Sequence, residues 1–159
     1  MKIIIVHPGN DTSLISGKQE RNLRIARFVK NKIDPNSDNC QIISSGSTQT
    51  QSQVQAILSQ LKICSYAIWP QLSPYPKPFN LNYNLTSNDI IEKIIFESEN
   101  NKINLVIIVL DENQKNTAEL FFKSVCPQAM WSGFPDLKDN QIIEFNSNHS
   151  SVTFNIVNQ

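Results

Sequence analysis

Three short stretches of this chain hold the side chains that could do chemistry. The first is His7-Pro8-Gly9-Asn10-Asp11, the second runs from Ser45 to Gln49, and the third runs from Asp111 and Glu112 to Gln114. An imidazole such as that of His7 can serve as nucleophile, acid–base group or ligand near neutral pH; the plainer alternative is a strand-end histidine bonded to nearby backbone. Pro8 to Asp11 could form a backbone nest for an anion, although Pro8 removes one N–H donor and a simple turn explains the composition as well. Asp111, Glu112, His7 and Asp11 are donors that a hard cation would accept. Their spacing does not single out such a site, so no metal is expected. Ser45 has neither a base nor an oxyanion motif beside it and reads as a strand-end hydroxyl. No dinucleotide fingerprint, P-loop or nucleophile elbow occurs, and no cofactor is expected.

These stretches matter because of what precedes them. Lys2–Val6 is a continuous apolar, β-branched run, the pattern of a strand covered on both faces. Gln41–Ser45, ended by Gly46, reads as a second strand, and Tyr66–Trp69 as a short third. Leu105–Leu110 is the most hydrophobic strand and should be central. Helices are expected from Ser16, with Gln19 as a capping-box partner and Leu23, Ala26, Phe28, Val29 and Ile33 as the apolar stripe. Further helices are expected over Gln51–Lys62, with Val54, Ile57, Leu58 and Leu61 on one face, and from Thr86 or Ser87, with Ile90, Ile91, Ile94 and Ile95 buried. A fourth is expected over Asn116–Val125. Pro35–Asn39 is a break. Pro70, Pro74, Pro76 and Pro78 argue against regular structure up to about Leu85. Gln141–Phe145 and Ser151–Val157 read as strands joined by the turn-rich Asn146–Ser150. Strands alternating with helices imply an α/β fold, a three-layer αβα sandwich with a mainly parallel sheet and an antiparallel C-terminal hairpin. The three polar stretches then lie at the carboxyl ends of strands, where such sheets bind ligands.

Composition narrows the function. The 159 residues suit one domain, 1–159, with no repeat or linker. The 40% apolar fraction is ordinary, and no segment is long enough for a membrane span. Net charge is zero and only 18% of residues are charged, so nucleic acid and anionic lipid find no electrostatic handle. The amino-terminal run does not read as a signal peptide, and a cytoplasmic location is expected. Cys40, Cys64 and Cys126 are far apart in sequence, which suggests reduced, buried thiols.

The segments MKIIIVHPGND, SGKQ, QIISSGSTQTQSQ, WPQLSP and VIIVLDEN resemble, in order, the landmarks of the histidine phosphatase (phosphoglycerate mutase-like) superfamily. In length and in WPQLSP the chain is most similar to the small bacterial phosphohistidine phosphatases. The resemblance implies an Arg-His-Gly tripeptide after the first strand, whose His becomes phosphorylated. It also implies a second Arg after the second strand and a second His after the central one. A phosphoryl group needs that positive pocket, because placement and charge neutralisation lower its barrier. Here His7 and Pro8 stand in the Arg-His places with Gly9 retained, or, if the frame shifts by one, His7 is the nucleophile and Val6 stands at the Arg. Gln49 stands at the second Arg and Asp111 at the second His. The only arginines, Arg21, Arg24 and Arg27, are spaced by three on the first helix and are expected on a solvated face. His149 is expected in a solvent-exposed turn.

Hydrogen bonds to charged groups are worth about 1.5–3 kcal/mol each. Loss of two arginines and a histidine therefore removes several kcal/mol of phosphate binding, and each 1.36 kcal/mol is about tenfold in rate. Asp111 and Glu112 add repulsion. The expected function is a catalytically degenerate histidine phosphatase-like protein, a pseudoenzyme acting as a binding or regulatory module through Gly9, Asn10, Ser45, Gln49, Asp111 and Glu112. Its expected partner is a protein or phosphoprotein; Tyr75, Phe79 and Tyr83 of the Pro70–Asn84 loop offer an interaction surface, and a passive flap packed on the domain is the equal alternative for that loop. The alternative is an active phosphohistidine or phosphoester phosphatase with His7 as nucleophile. A third reading is an unrelated flavodoxin-like binding protein with a different strand order.

Overall fold

The run Leu105–Val109 forms the centre of the sheet, and every one of its side chains is buried. Burying an aliphatic side chain of this size contributes about 1.5–3 kcal/mol, so this segment is stable only where both its faces are covered. The computed structural model describes residues 2–6, 15–61, 64–72, 87–110, 141–148 and 151–158. Its strands are β1 (Lys2–Val6), β2 (Cys40–Ser44), β3 (Ser65–Ile68), β4 (Leu105–Val109), β5 (Gln141–Asn148) and β6 (Ser151–Asn158). The helices are α1 (Ile15–Asn31), α2 (Thr48–Gln60) and α3 (Ser87–Asn100), with a 3-10 turn at Pro70–Leu72.

Among the described residues, one six-stranded sheet runs in the order β3-β2-β4-β1-β5-β6. The first four strands are mutually parallel, β5 runs antiparallel to β1, and β6 runs antiparallel to β5. Alternation along each strand sends side chains to opposite faces. On one face Ile4, Val6, Ile42, Ile107 and Val109 meet Ile25, Ala26 and Val29 of α1 and Val54 and Ile57 of α2. On the other, Ile3, Ile5, Ile43, Val106 and Ile108 meet Ile94 of α3 and Leu72 of the 3-10 turn. Helices on both faces of a mainly parallel sheet make the three-layer α/β arrangement.

The elements differ from expectation where polar residues set the ends. α2 begins three residues before Gln51, because Ser47 caps it and accepts a bond from the Thr50 N–H. β3 ends at Ile68, yet the Trp69 N–H still donates to the Ser44 carbonyl (2.8 Å). Pro70 opens a 3-10 turn, since a first helical residue has no intrahelical use for its N–H. Asn146 to Asn148, expected as a turn, continue β5 opposite Thr153 to Ser151. The fourth helix expected over Asn116–Val125 lies outside the described residues, as does His149.

The expectation of reduced thiols is corrected for Cys40 and Cys64, which are joined by a disulfide with a Cα–Cα distance of 4.7 Å. They are 24 residues apart, so no short-range spacing announces the pair. The pairing of Gln41 with Ser65 puts the two preceding residues side by side at the start of β2 and β3. Cys126 lies outside the described residues.

Candidate functional site

The carboxyl ends of β1, β4 and β2 come together. Val6 and Ser44 are both in register with Val109, and the Leu110 N–H donates to the Val6 carbonyl (2.9 Å). Of the sequence-predicted site residues, Ser45 lies in the turn that leaves β2 and Gln49 in the first turn of α2. His7, Gly9, Asn10, Asp11, Asp111 and Glu112 lie outside the described residues, as do Tyr75, Phe79 and Tyr83.

The β2–α2 turn is built from hydroxyls that bond to one another. Ser44 Oγ lies 2.8 Å from Tyr66 Oη and accepts from the Gly46 N–H (3.2 Å). Ser45 Oγ accepts from the Ser47 N–H (3.3 Å) and lies 3.3 Å from Thr50 Oγ1. Ser47 Oγ lies 3.1 Å from Thr50 Oγ1 and accepts from the Thr50 N–H (3.2 Å). The Gln51 N–H then donates to the Ser47 carbonyl (2.9 Å), which starts the helical ladder. The sharp change of direction needs a left-handed residue, supplied by Gly46 at φ +80°. A β-carbon there would stand 2.8 Å from Ile68 Cγ2, so Gly46 also makes room for β3.

No ionisable side chain occurs from Ser44 through Gln53. The only fixed polarity in the turn comes from hydroxyls, amides and the amino-terminal end of α2, whose dipole favours negative charge by about 0.3–1 kcal/mol. Gln49, at the place the resemblance gives to an arginine, is half-buried, and its carbonyl accepts from Ser52 Oγ (2.9 Å). Its amide is neutral, so it lacks the charged bidentate fork of a guanidinium. This turn can hold a polar ligand through neutral hydrogen bonds; it holds no acid or base for proton transfer.

The arginine expectation divides. Arg24 and Arg27 are exposed, as a solvated face requires. Arg21 is only 6% exposed, which corrects the reading of all three as solvent-facing. It shares the buried stripe of α1 with Asn22, Ile25, Ala26 and Val29; Arg21, Ile25 and Val29 recur every four residues, and that period was the signal that could have found it. The neighbouring Asn22 carbonyl accepts from Gln53 Nε2 (3.2 Å), and Asn22 Nδ2 donates to Ser52 Oγ (3.4 Å). A polar seam thus joins α1 to the first turns of α2, and the chain Asn22–Ser52–Gln49 ties it to the β2 turn.

Among the described residues, no group of three or more His, Cys, Asp or Glu side chains is placed to hold a metal ion. Among the same residues, no helix is long and apolar enough to cross a membrane.

No family model matches the chain, and no curated protein matches it. Solved structures do. The alpha-ribazole phosphatase of Shigella flexneri is similar over 100% of this chain and 96% of its own, with a TM-score of 0.62 and 13% identity. A protein of Agrobacterium tumefaciens described as a phosphohistidine phosphatase, SixA, is similar over 99% and 95%, with a TM-score of 0.59 and 13% identity. A phosphoserine phosphatase variant of Entamoeba histolytica, solved with phosphoserine, is similar over 96% and 94%, with a TM-score of 0.58 and 14% identity. At these identities the likeness speaks for architecture, and the chain has the histidine phosphatase (phosphoglycerate mutase-like) fold.

Proposed function

We propose that this protein is a catalytically degenerate histidine phosphatase-like domain that works as a binding or regulatory module. One observation carries the reading: the turn after β2, which would present a guanidinium in a working phosphatase of this type, has no ionisable side chain from Ser44 to Gln53. A transferring phosphoryl group spreads negative charge over three oxygens, and its barrier falls mainly through positioning and charge neutralisation. Neutral amides and hydroxyls supply position but little neutralisation. Asp111 and Glu112 follow Leu110 directly in sequence and would add negative charge. The ligand that suits such a crevice is a partner peptide or a small polar molecule, bound through Ser45 and Gln49 with help from Gly9 and Asn10.

A second reading keeps the family chemistry, with His7 as nucleophile. Its support is Arg21, a buried cation on α1 whose neighbour Asn22 is bonded to Ser52 and Gln53 of α2. The two readings part in one experiment. The chain is incubated with acetyl phosphate or phosphoramidate and assayed for acid-labile phosphate on His7 by mass spectrometry. The pseudoenzyme reading expects none, and turnover of p-nitrophenyl phosphate indistinguishable from His7→Ala. Stoichiometric phosphorylation of His7, with turnover lost in His7→Ala, would establish the second reading instead.

A further inference from the structure

We propose that the Cys40–Cys64 disulfide is a reversible redox clasp that holds edge strand β3, and through it the β2–α2 turn, in place. This goes beyond the binding function proposed above and does not depend on it. Among the described residues, β3 is the outermost strand on its side of the sheet and has four residues, hydrogen-bonded to β2 alone. Short edge strands are the parts of a sheet that open at low free energy. At its far end β3 touches the candidate site three times. Tyr66 Oη lies 2.8 Å from Ser44 Oγ, the Trp69 N–H donates to the Ser44 carbonyl, and Ile68 covers Gly46. At its near end it is fixed covalently by Cys64 to Cys40. The covalent ring from Cys40 to Cys64 therefore encloses β2, the hydroxyl turn and α2, the elements that position Ser45 and Gln49.

The two sulfurs differ in access. Cys40 is 1% exposed and lies in the apolar layer beneath α1 and α2, whereas Cys64 is partly exposed. A dithiol reductant meets Cys64 Sγ first. Its thiolate bonds to that sulfur, the Cys40–Cys64 bond breaks, and Cys40 leaves as thiolate and takes a proton. The reductant's second thiol then attacks its own sulfur in the mixed disulfide, which releases Cys64 as a thiol. Two electrons and two protons pass to the protein, and the reductant ends as a cyclic disulfide. Without the clasp, β3 keeps its ladder to β2, its contacts with the turn and the packing of Tyr66 and Ala67 on the two core layers, but loses its covalent tie.

The test uses the full chain, oxidised with glutathione disulfide and, in parallel, reduced with excess dithiothreitol. Peptide mapping should find the Cys40–Cys64 link in the oxidised sample. Amide hydrogen exchange of the peptides covering 44–50 and 65–69 should then rise at least about tenfold on reduction, the response to a fall of about 1.4 kcal/mol in local opening free energy, while β1 and β4 keep their protection. Cys126→Ser should retain this response, and Cys64→Ser should exchange like the reduced protein whatever the oxidant. If Cys64→Ser does not fold, the reduced wild-type chain still gives the reading. Failure of Cys40 and Cys64 to link under oxidant, or identical exchange of the two peptides in both redox states, overturns the proposal.

Discussion

Replacing Gly46 with alanine probes the turn that shapes the candidate site, and its cost divides into two parts. The first is conformational: at φ +80° an L-residue is in left-handed space, which costs about 1–2 kcal/mol. The second is steric, from the β-carbon 2.8 Å from Ile68 Cγ2. Ile68 is 53% exposed, so it can turn outward, and an off-rotamer side chain costs about 0.5–1.5 kcal/mol. Gly46→Ala should therefore destabilise the fold by about 2–3 kcal/mol, with the backbone as the larger share. Urea denaturation checks this: with a slope of about 2 kcal/mol/M the midpoint should fall by about 1–1.5 M. Ile68→Ala alone should cost less than about 1 kcal/mol, because its side chain is half in water already. In the double variant the steric part should vanish and the backbone part remain, leaving a coupling of about 0.5–1.5 kcal/mol. A neutral Gly46→Ala, or complete recovery on adding Ile68→Ala, would refute the left-handed backbone as the dominant cost.

Two further substitutions test local claims. Ser47→Ala removes the cap of α2 and should cost about 0.5–2 kcal/mol in the same assay; Ser47→Gly should lose only a few tenths. Asp34 accepts bonds from the Asn36 N–H (3.0 Å) and Ser37 Oγ (2.8 Å), and these, the backbone bond first, hold its carboxyl below the usual 3.8. A lowered folded-state value means stability that is present above 3.8 and lost as pH falls toward that lower value. Asp34→Asn should flatten that part of the acid limb in a pH series of thermal melts, and an unchanged limb would contradict the assignment.

The sheet was legible because β-branched runs such as Lys2–Val6 and Leu105–Leu110 have one stable destination, between two covering layers. The boundaries that slipped are those where polar residues decide. Ser47 opens α2 early by capping it, and Asn146–Asn148 extend β5 through backbone pairing that composition does not announce. Arg21 departs from expectation because the spacing of the three arginines to one another does not decide their exposure, whereas the spacing of Arg21 to Ile25 and Val29 puts it on the buried stripe. The disulfide was hidden for a different reason. Strand register, a property of the assembled sheet, brings Cys40 beside Cys64. The pair also weighs against the expected reducing cytoplasm, where such bonds are rare. Within the candidate site, the order of elements was readable, and Ser45 follows the end of β2 as its place in the sequence implied, whereas the early start of α2 takes Gln49 into its first turn. The bonding that links this turn, from Ser44 to Thr50, depends on the left-handed φ at Gly46 and on the neighbouring strand β3, and the second of these is not local in sequence.

A degenerate phosphatase fold with a neutral β2 turn should leave a phosphate dianion unheld. Isothermal titration of the full chain with orthophosphate and with vanadate near neutral pH measures this directly. No binding tighter than about 1 mM, equivalent to roughly −4.1 kcal/mol, is expected. Micromolar binding of either anion, lost in His7→Ala, would contradict it.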